Sequence, residues 1–573
     1  MQTRKPLRGI ETQTVRVLRF LAVMGLAAVC LAGCQSFAER ARGHLAAAGP
    51  VVALADGNVE GVAQAGVVRF LGIPYAAPPV GPLRWRPPVR PQAWPGTRPA
   101  QAFGPPCGQV YLLGPFGGPA NTNEDCLYLN VYAPADAVGS RSRLPVLVWI
   151  HGGGYVNGSG QDYDGSKLAT DGRMIVVTLN YRLNLMGFLA HPALDAEGHA
   201  FGNYGFLDQQ MALHWVRQNI AKFGGDPANV TLSGQSAGAN STVVQMTSPL
   251  SKGLFHKAIV QSGQSYLTAT PLPQAQKLGV EFARAAGCGE GTDETVAACL
   301  RALPADAVMR HAGTIKGDSA FIHQRAIQDG QIVLDGAVPL VSQGRFQAMP
   351  MMLGTTSDEG QFLLGIDLYL SGSPWKQYSQ DDVVRYVSSR FGASYPSGTA
   401  ERILALYPEA AYATAQLRYG AIVSDTFICR SQRGVLLFAG RVPLYTYEFR
   451  DRTAPSNFPD IQGFASGAYH AAEIQYVFRG FRGGPDGISR SLNRRQEKLS
   501  DRIVKAWANF ARTGNPNGRG DQPWPAYTSQ APVYAVQDLG GPATATGAEL
   551  MTAHKCDFWM QVMPLEAGVV RLK

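Results

Sequence analysis

The amino-acid sequence predicts an α/β fold with a large, mostly parallel central sheet that helices cover on both faces. Short apolar runs rich in valine, isoleucine and leucine recur through the middle of the chain, and segments with apolar residues at helical spacing lie between them. Continuous apolar runs are typical of strands that are buried on both faces. Their alternation with helical patterns favours a parallel sheet between helical layers.

The candidate elements follow from these patterns. A helix is predicted over 208–222, and a long C-terminal helix around Trp507 ends before Gly514 and Pro516, because apolar residues recur in both at helical spacing. Six apolar runs are candidate strands of the central sheet: 146–150, 175–180, 229–233, 258–261, 349–354 and 444–449.

Length, composition and charge indicate one large domain without a nucleic-acid partner. The chain has 573 residues, of which 45% are hydrophobic, and it can bury a large core. After residue 50 there is no long charge run, no Gly/Ser- or Pro-rich tract and no fixed-period repeat, so one domain over 50–573 is predicted. The formal net charge is +9, but basic residues are concentrated at the N-terminus and form no cluster elsewhere.

Residues 1–33 are predicted to be a signal peptide, because basic residues precede an apolar run that is too short to span a bilayer. The run ends Leu31-Ala32-Gly33-Cys34, which resembles the lipobox of bacterial lipoproteins. We expect a lipid on Cys34, a tether over 34–49, and export to the cell envelope as a periplasmic or outer-membrane-associated lipoprotein, with no other membrane contact. The alternative is an ordinary secretory signal with an incidental cysteine.

A serine motif follows the candidate strand 229–233. Residues 234–238 read Gly-Gln-Ser-Ala-Gly, and a segment that can form a helix comes next. The G-x-S-x-G pattern places its serine on a tight strand-to-helix turn, where the residues two positions away have to be small. The helix N-terminus also favours a developing negative charge. Ser236 is therefore the candidate nucleophile.

A glycine motif follows the candidate strand 146–150. Residues 151–154 read His-Gly-Gly-Gly, and glycines allow backbone N–H groups to approach a substrate oxygen closely. The candidate donors of an oxyanion hole are the N–H groups of Gly153, Gly154 and Ala237. A flexible glycine turn is the alternative for this motif taken alone.

With both motifs in the expected order, the chain resembles type-B carboxylesterases, the family that includes bacterial and fungal esterases and lipases and the cholinesterases. The resemblance covers nearly everything after residue 49, and it implies the α/β-hydrolase fold. Segments outside the two motifs carry it as well: 70–76, 124–130, 202–205, 208–209, 223–227, 510–516 and 556–559.

The resemblance also implies the other two members of a catalytic triad. Segment 354–360 matches the loop that bears the acid, and Glu359 is the matching residue, with Asp358 as the local alternative. Segment 467–473 matches the histidine loop, which makes His470 the base. The chain order serine, acid, histidine is that of α/β-hydrolases.

Three further residues match positions beside the triad, and the resemblance implies supporting roles for Gln235, Ser262 and Glu473. The alternative is that they are ordinary hydrogen-bonded core residues. Gln235 departs from the family pattern, since many relatives carry glutamate immediately before the serine. The missing charge, together with the absence of tryptophan between Cys107 and Cys126, disfavours a cationic alcohol such as choline.

Eight cysteines are present, and six remain once Cys30 and Cys34 are set aside. An even number suits a disulfide framework in an exported chain, but six cysteines allow 15 pairings. They form no Cys-x-x-Cys or Cys/His cluster, so no metal site is predicted. The resemblance implies the pairs Cys107–Cys126, Cys288–Cys299 and Cys429–Cys556.

The resemblance implies acyl transfer in two steps, in which Ser236 forms an acyl-enzyme from a small-molecule ester and water then releases the acid. No cofactor is expected. Short-chain or aryl esters are the expected substrates, and a lipase, a polyesterase or another acyl hydrolase on the same triad is the alternative. A non-catalytic binding module like the neuroligins is disfavoured, because such relatives lose a triad member. The sequence indicates no oligomeric state.

Overall fold

The structure, a computed structural model, describes residues 49–314, 326–371, 378–392, 395–461, 463–520 and 523–563. The described residues from Pro50 onwards form one compact unit. The predicted signal peptide, the tether up to residue 48 and Cys34 lie outside the described residues, so these assignments stay predictions.

A mixed β-sheet runs through the centre of the unit. Within the described residues eleven strands form this sheet, numbered β1 to β11 in chain order: Val62–Gln64, Val67–Pro74, Tyr128–Pro134, Leu144–Ile150, Ile175–Leu179, Gly225–Gln235, Lys257–Gln261, Met351–Thr356, Leu444–Phe449, Val533–Gln537 and Ala543–Thr546. Across the sheet, the strand order is β1-β2-β3-β5-β4-β6-β7-β8-β9-β10-β11.

The middle of the sheet is parallel and its two edges are antiparallel. Strands β5, β4, β6, β7, β8, β9 and β10 pair in parallel, whereas β1, β2 and β3 on one side and β11 on the other pair antiparallel. All six predicted strands lie in the parallel part, which confirms that part of the fold prediction. Strand β6 begins earlier than predicted, at Gly225, because an irregularity in its register lets it pair further along β4.

Smaller elements surround the sheet. Short strands at Val51–Ala53, Asn58–Glu60 and Thr97–Pro99 form a three-stranded sheet, and Thr270–Pro271 pairs with Ile327–Gln328. Single turns of 3-10 helix occur at Gly81–Leu83, Gly114–Phe116, Gly160–Asp162, Ile220–Phe223, Pro249–Ser251, Ser265–Leu267 and Glu409–Ala411.

The two predicted helices are present as Tyr204–Asn219, numbered α4, and Arg494–Thr513, numbered α15. Helix α15 ends before Gly514, whose φ of 79° suits glycine at a helix C-terminus. Within the described ranges, no helix is both long enough and apolar enough to cross a membrane. The α-helices are numbered α1 to α17 in chain order: Ser166–Thr170, Asn184–Gly187, Pro192–Asp195, Tyr204–Asn219, Ala237–Thr247, Leu272–Ala285, Glu294–Ala302, Ala305–Thr314, Ala337–Ser342, Gln361–Leu370, Gln380–Phe391, Thr399–Leu406, Ala415–Phe438, Ile474–Val477, Arg494–Thr513, Gly547–Ala553 and Cys556–Val562.

Helices cover both faces of the sheet. A Cβ atom on Gly234 of β6 would lie 2.4 Å from the backbone of Gly238 in α5, so α5 lies on the face to which Gly234 points. Gln261 of β7 is one position beyond the partner of Gly234, and it points to the opposite face because side chains alternate along a strand. There its Oε1 accepts a hydrogen bond from Trp507 of α15 at 3.3 Å.

The core fills the space between the sheet and the helices. Val148, Val177, Leu232 and Val260 of the parallel strands are completely buried, as the continuous apolar runs predicted. A second apolar cluster lies between α11, α12, α13 and α17 around Trp559. It packs the end of the described chain onto α13.

The three predicted disulfides are present. Cys107–Cys126 spans 19 positions before β3, and Cys288–Cys299 spans 11 positions and joins the loop after α6 to α7. Cys429–Cys556 joins α13 to α17 across 127 positions. The last bridge therefore closes by far the longest loop.

Removal of the Cys429–Cys556 disulfide should destabilise the protein more than removal of the Cys288–Cys299 disulfide. A cross-link restricts the unfolded chain more strongly when it closes a longer loop, so the double serine variants should lose about 5 and about 3 kcal/mol of unfolding free energy, respectively. Urea unfolding followed by tryptophan fluorescence measures both losses. An equal or larger loss for the shorter loop would contradict this expectation.

Candidate active site

Ser236 lies on the turn between β6 and α5, in the context that its motif predicts. Its φ is 56° and its ψ is −120°, a conformation that few residues other than glycine adopt. The turn is tight, because a Cβ atom on Gly238 would lie 2.0 Å from the carbonyl oxygen of Ile150. The Ser236 N–H donates to the carbonyl of Gln261 at 2.9 Å. The serine is thus held at the carboxyl edge of the parallel strands.

The glycine loop begins at the same edge, directly after β4. Gly153 and Gly154 have φ values of 105° and 62°, and a Cβ atom on Gly153 would lie 2.1 Å from the carbonyl oxygen of Asn157. The Gln109 side chain holds the loop in place, since its Oε1 accepts hydrogen bonds from Gly158 N at 2.9 Å and from Asn157 Nδ2 at 3.3 Å. The loop is therefore fixed before any ligand arrives.

At this edge, the backbone N–H groups of Gly153, Gly154 and Ala237 have no acceptor within the described part of the chain. Ala237 is the first residue of α5, and the N–H groups of a first helical turn lack intrahelical partners. All three residues line one cavity with Ser236. Free N–H groups beside a hydroxyl are suited to hold an oxygen that becomes negatively charged.

Glu359 and His470 are in direct contact. His470 Nδ1 lies 2.5 Å from Glu359 Oε2, and both side chains are buried. The other carboxylate oxygen accepts hydrogen bonds from Ser262 Oγ at 2.6 Å and from Thr356 N at 2.9 Å. A carboxylate with these three donors is held in one orientation, and it directs the ring so that Nδ1 carries the proton.

Asp358 lies next to Glu359 but makes different contacts. Its Oδ2 accepts a hydrogen bond from Ala468 N at 3.0 Å and forms an ion pair with Arg452 at 2.9 Å. It therefore braces the backbone of the histidine loop, 467–473. The residue on the imidazole is Glu359, and not Asp358.

Gln235 and Glu473 are buried beside this pair. Gln235 Nε2 lies 3.0 Å from His470 Nε2. Glu473 Oε1 accepts a hydrogen bond from Gln261 at 3.2 Å, whereas its Oε2 has no partner among the described residues. Burial, and then the negative charge of Glu359, raise the pKa of Glu473 to about 7. Glu473 therefore exchanges its proton near neutral pH.

Ser236, Glu359 and His470 line one cavity of about 470 Å³. Its walls are largely apolar, and the rings of Phe362 and Phe427 are each centred 5.1 Å from the imidazole. A volume of this order is typical of sites for small molecules. Every predicted member of the triad and of the oxyanion hole borders this space.

The sequence did not single out several residues of the site. Thr356 contributes its backbone N–H, which leaves no residue-type signal. Gln261 could have been found, because it immediately precedes Ser262, which matches a position beside the triad. Phe362 and Phe427 lie on α10 and α13, and their approach to the imidazole depends on how these helices pack.

His151 has a structural part in the glycine motif. Burial lowers the pKa of His151 to about 4, and its ring stacks on Tyr181 with the centroids 4.4 Å apart. Its Nδ1 lies 2.8 Å from the carbonyl oxygen of Gly152. The neutral His151 ring therefore supports the glycine loop through these two contacts. Across the described ranges, no group of three or more His, Cys, Asp or Glu side chains is arranged to hold a metal ion.

Comparisons with known proteins agree with this geometry. The model of the carboxylesterase family matches residues 48–559. The chain is 36% identical to the medium-chain fatty acyl-CoA hydrolase precursor of Anas platyrhynchos, and the match covers 90% of this chain and 92% of that protein.

Two other relatives match over similar lengths. Liver carboxylesterase 1 of Oryctolagus cuniculus is 33% identical, with 95% of this chain and 97% of that protein covered. Cocaine esterase of Homo sapiens is 33% identical, with 88% of each chain covered. The chain therefore belongs to the carboxylesterase family, and it is a carboxylic ester hydrolase.

Proposed function

We propose that the chain hydrolyses esters through an acyl-enzyme on Ser236, with His470 as the base and Glu359 as the acid. The contact between His470 Nδ1 and Glu359 Oε2 at 2.5 Å carries this proposal, since both residues line the cavity that contains Ser236. With a buried carboxylate on Nδ1, Nε2 is the nitrogen of the neutral ring that can accept a proton.

The reaction proceeds in two steps. His470 Nε2 takes the hydroxyl proton of Ser236 as the serine oxygen attacks the ester carbonyl, and Glu359 stabilises the imidazolium. The carbonyl oxygen becomes negatively charged and accepts hydrogen bonds from the three free backbone N–H groups. His470 then protonates the leaving alcohol, and the same residue later deprotonates the water that releases the acid.

Ser262 and Glu473 support this machinery without touching the ester. Ser262 orients Glu359 through the 2.6 Å hydrogen bond to Oε1. Glu473 adds negative charge near the imidazole when it ionises near neutral pH. The intact set of serine, acid, histidine and free N–H groups argues against a neuroligin-like binding module.

Short-chain or aryl esters are the proposed substrates. The cavity is bounded by phenylalanine side chains, including Phe116, Phe362 and Phe427, which suit an aromatic ring or a short alkyl chain. The relatives include proteins named for medium-chain fatty acyl-CoA, which is a thioester, and for cocaine, so their names do not point to one substrate. A lipase or polyesterase with the same triad is the alternative.

We further propose that the protein is exported and anchored to the cell envelope through a lipid on Cys34. This proposal rests on the apolar run that ends Leu31-Ala32-Gly33-Cys34. Residues 34–49 would then act as a tether between the lipid and the catalytic domain.

Ser236→Ala should abolish ester hydrolysis while the protein stays folded. The loss of the nucleophile should lower kcat/KM for p-nitrophenyl butyrate by about 10⁴-fold or more. Fluorophosphonate labelling should disappear as well. Ser529→Ala, at an exposed serine, is the matched control and should retain both activity and labelling. Labelling of the folded Ser236→Ala protein would disprove the assignment.

The acyl chain-length profile should favour short esters. In a cavity of about 470 Å³, we expect kcat/KM for p-nitrophenyl acetate and butyrate to exceed that for the laurate and palmitate. Assays below and above the solubility limit of each ester separate binding from interfacial activation. A steep preference for long chains, with a rise in rate at the interface, would favour the lipase alternative instead.

Cys34→Ser should release the full-length protein from membranes, because it removes the only predicted site of lipidation. Cys30 lies in the same apolar run, so Cys30→Ser is the matched control and should leave the protein in the membrane fraction. Fractionation and metabolic labelling with a fatty acid measure the two variants side by side. Equal membrane association of both variants would rule out the anchor.

A further inference from the structure

The side chain of Gln235 connects the two halves of the site. Its Nε2 lies 3.0 Å from His470 Nε2. Its Oε1 faces the glycine loop, since a Cβ atom on Gly152 would lie 2.9 Å from that oxygen. The residue immediately precedes Ser236 and is buried. Gln235 therefore lies next to the nucleophile Ser236 and also contacts His470 Nε2, the nitrogen expected to take up the proton of Ser236.

The donor and acceptor roles at this contact follow from the other side of the ring. Glu359 Oε2 lies 2.5 Å from His470 Nδ1 and, as an acceptor, places the proton there. The Nε2 atom of the neutral ring then has a lone pair and accepts. The amide NH2 group of Gln235 is the matching donor, whereas a carboxylate in this place could not donate and would attract a proton to Nε2.

We propose that Gln235 is a positioning residue that keeps His470 in the neutral form with the proton on Nδ1, ready to accept the proton of Ser236. In the resting enzyme the Gln235 amide donates a hydrogen bond to His470 Nε2. When an ester binds, the hydroxyl of Ser236 replaces the amide as the donor. This inference rests on the proposed function, because it assigns a role around the same base.

Because other acidic side chains lie near the imidazole of His470, it matters that the residue at position 235 is neutral. Glu359 contacts Nδ1 directly, and Glu473 is a second buried acid whose pKa burial and Glu359 raise to about 7. Further out, Asp358 is paired with Arg452. A third carboxylate at position 235 would face the remaining nitrogen of the ring and favour its protonation. The amide thus limits the negative charge around the base.

The test compares Gln235→Glu with Gln235→Met, which has a similar length but neither charge nor donor. The measurement is the pH profile of kcat/KM for p-nitrophenyl acetate, a neutral substrate. We expect the acidic midpoint to rise in the order wild type, Gln235→Met, Gln235→Glu, with the glutamate variant at least about one pH unit above wild type. A methionine midpoint equal to or below that of the wild type would overturn the proposal, as would a glutamate midpoint equal to or below the methionine midpoint.

Because burial raises the pKa of Glu473 to about 7, ionisation of Glu473 can also affect the pH profile, so the comparison is repeated in a Glu473→Gln background. The shift caused by Gln235→Glu should persist there, and its disappearance would assign the effect to Glu473 and overturn the proposal. Should a variant not fold, the wild-type enzyme provides a second readout. Its ¹⁵N-histidine spectra should show His470 protonated on Nδ1 and hydrogen-bonded but unprotonated on Nε2, and the opposite tautomer would also refute the proposal.

Labelling separates this inference from the proposed function. If the wild type hydrolyses the ester and Ser236 takes the fluorophosphonate, the triad stands whatever the midpoints of the variants are. Coinciding midpoints then refute only the role of Gln235. If the folded wild type shows neither activity nor labelling, the proposed function itself fails.

Discussion

Strands β4 and β6 and helix α5 meet where Gly238 lies against the carbonyl oxygen of Ile150. A Cβ atom on Gly238 would lie 2.0 Å from that oxygen, and one on Gly234 would lie 2.4 Å from Gly238. Both glycines are required by this packing as well as by the turn between them. Because the glycine loop starts directly after Ile150, the same contact fixes where its N–H groups lie relative to Ser236.

Each of three loops that build the site contains a residue with an unfavourable backbone conformation. Ser236, Ser262 and Ala471 have φ values of 56°, 54° and 76°, and each of them lines the cavity. Such conformations cost about 1–3 kcal/mol each and persist only where the surrounding structure holds them. The seven parallel strands and their buried apolar runs supply that support. The rigid sheet thus holds three strained loops around one small space.

Local rules explain what the sequence could predict. Continuous apolar runs located six of the seven strands that pair in parallel, and the spacing of Gly234, Ser236 and Gly238 located the tight turn. The other five strands of the sheet were not predicted. Strands β1 and β11 have only three and four residues, and Arg69 and Gly72 interrupt the apolar run of β2. Spacing also could not separate Asp358 from Glu359. That distinction depends on Arg452, which pairs with Asp358 from a distant part of the chain.

The disulfide between Cys429 and Cys556 brackets the segment that contains His470 and α15. A protease that cut the backbone anywhere inside this bracket would not release a fragment, because the two pieces would stay covalently joined. The apolar cluster around Trp559 would also remain in place on α13. The two pieces of a cleaved molecule would therefore separate only on a reducing gel. The mass measured under native conditions would not show whether the backbone is continuous.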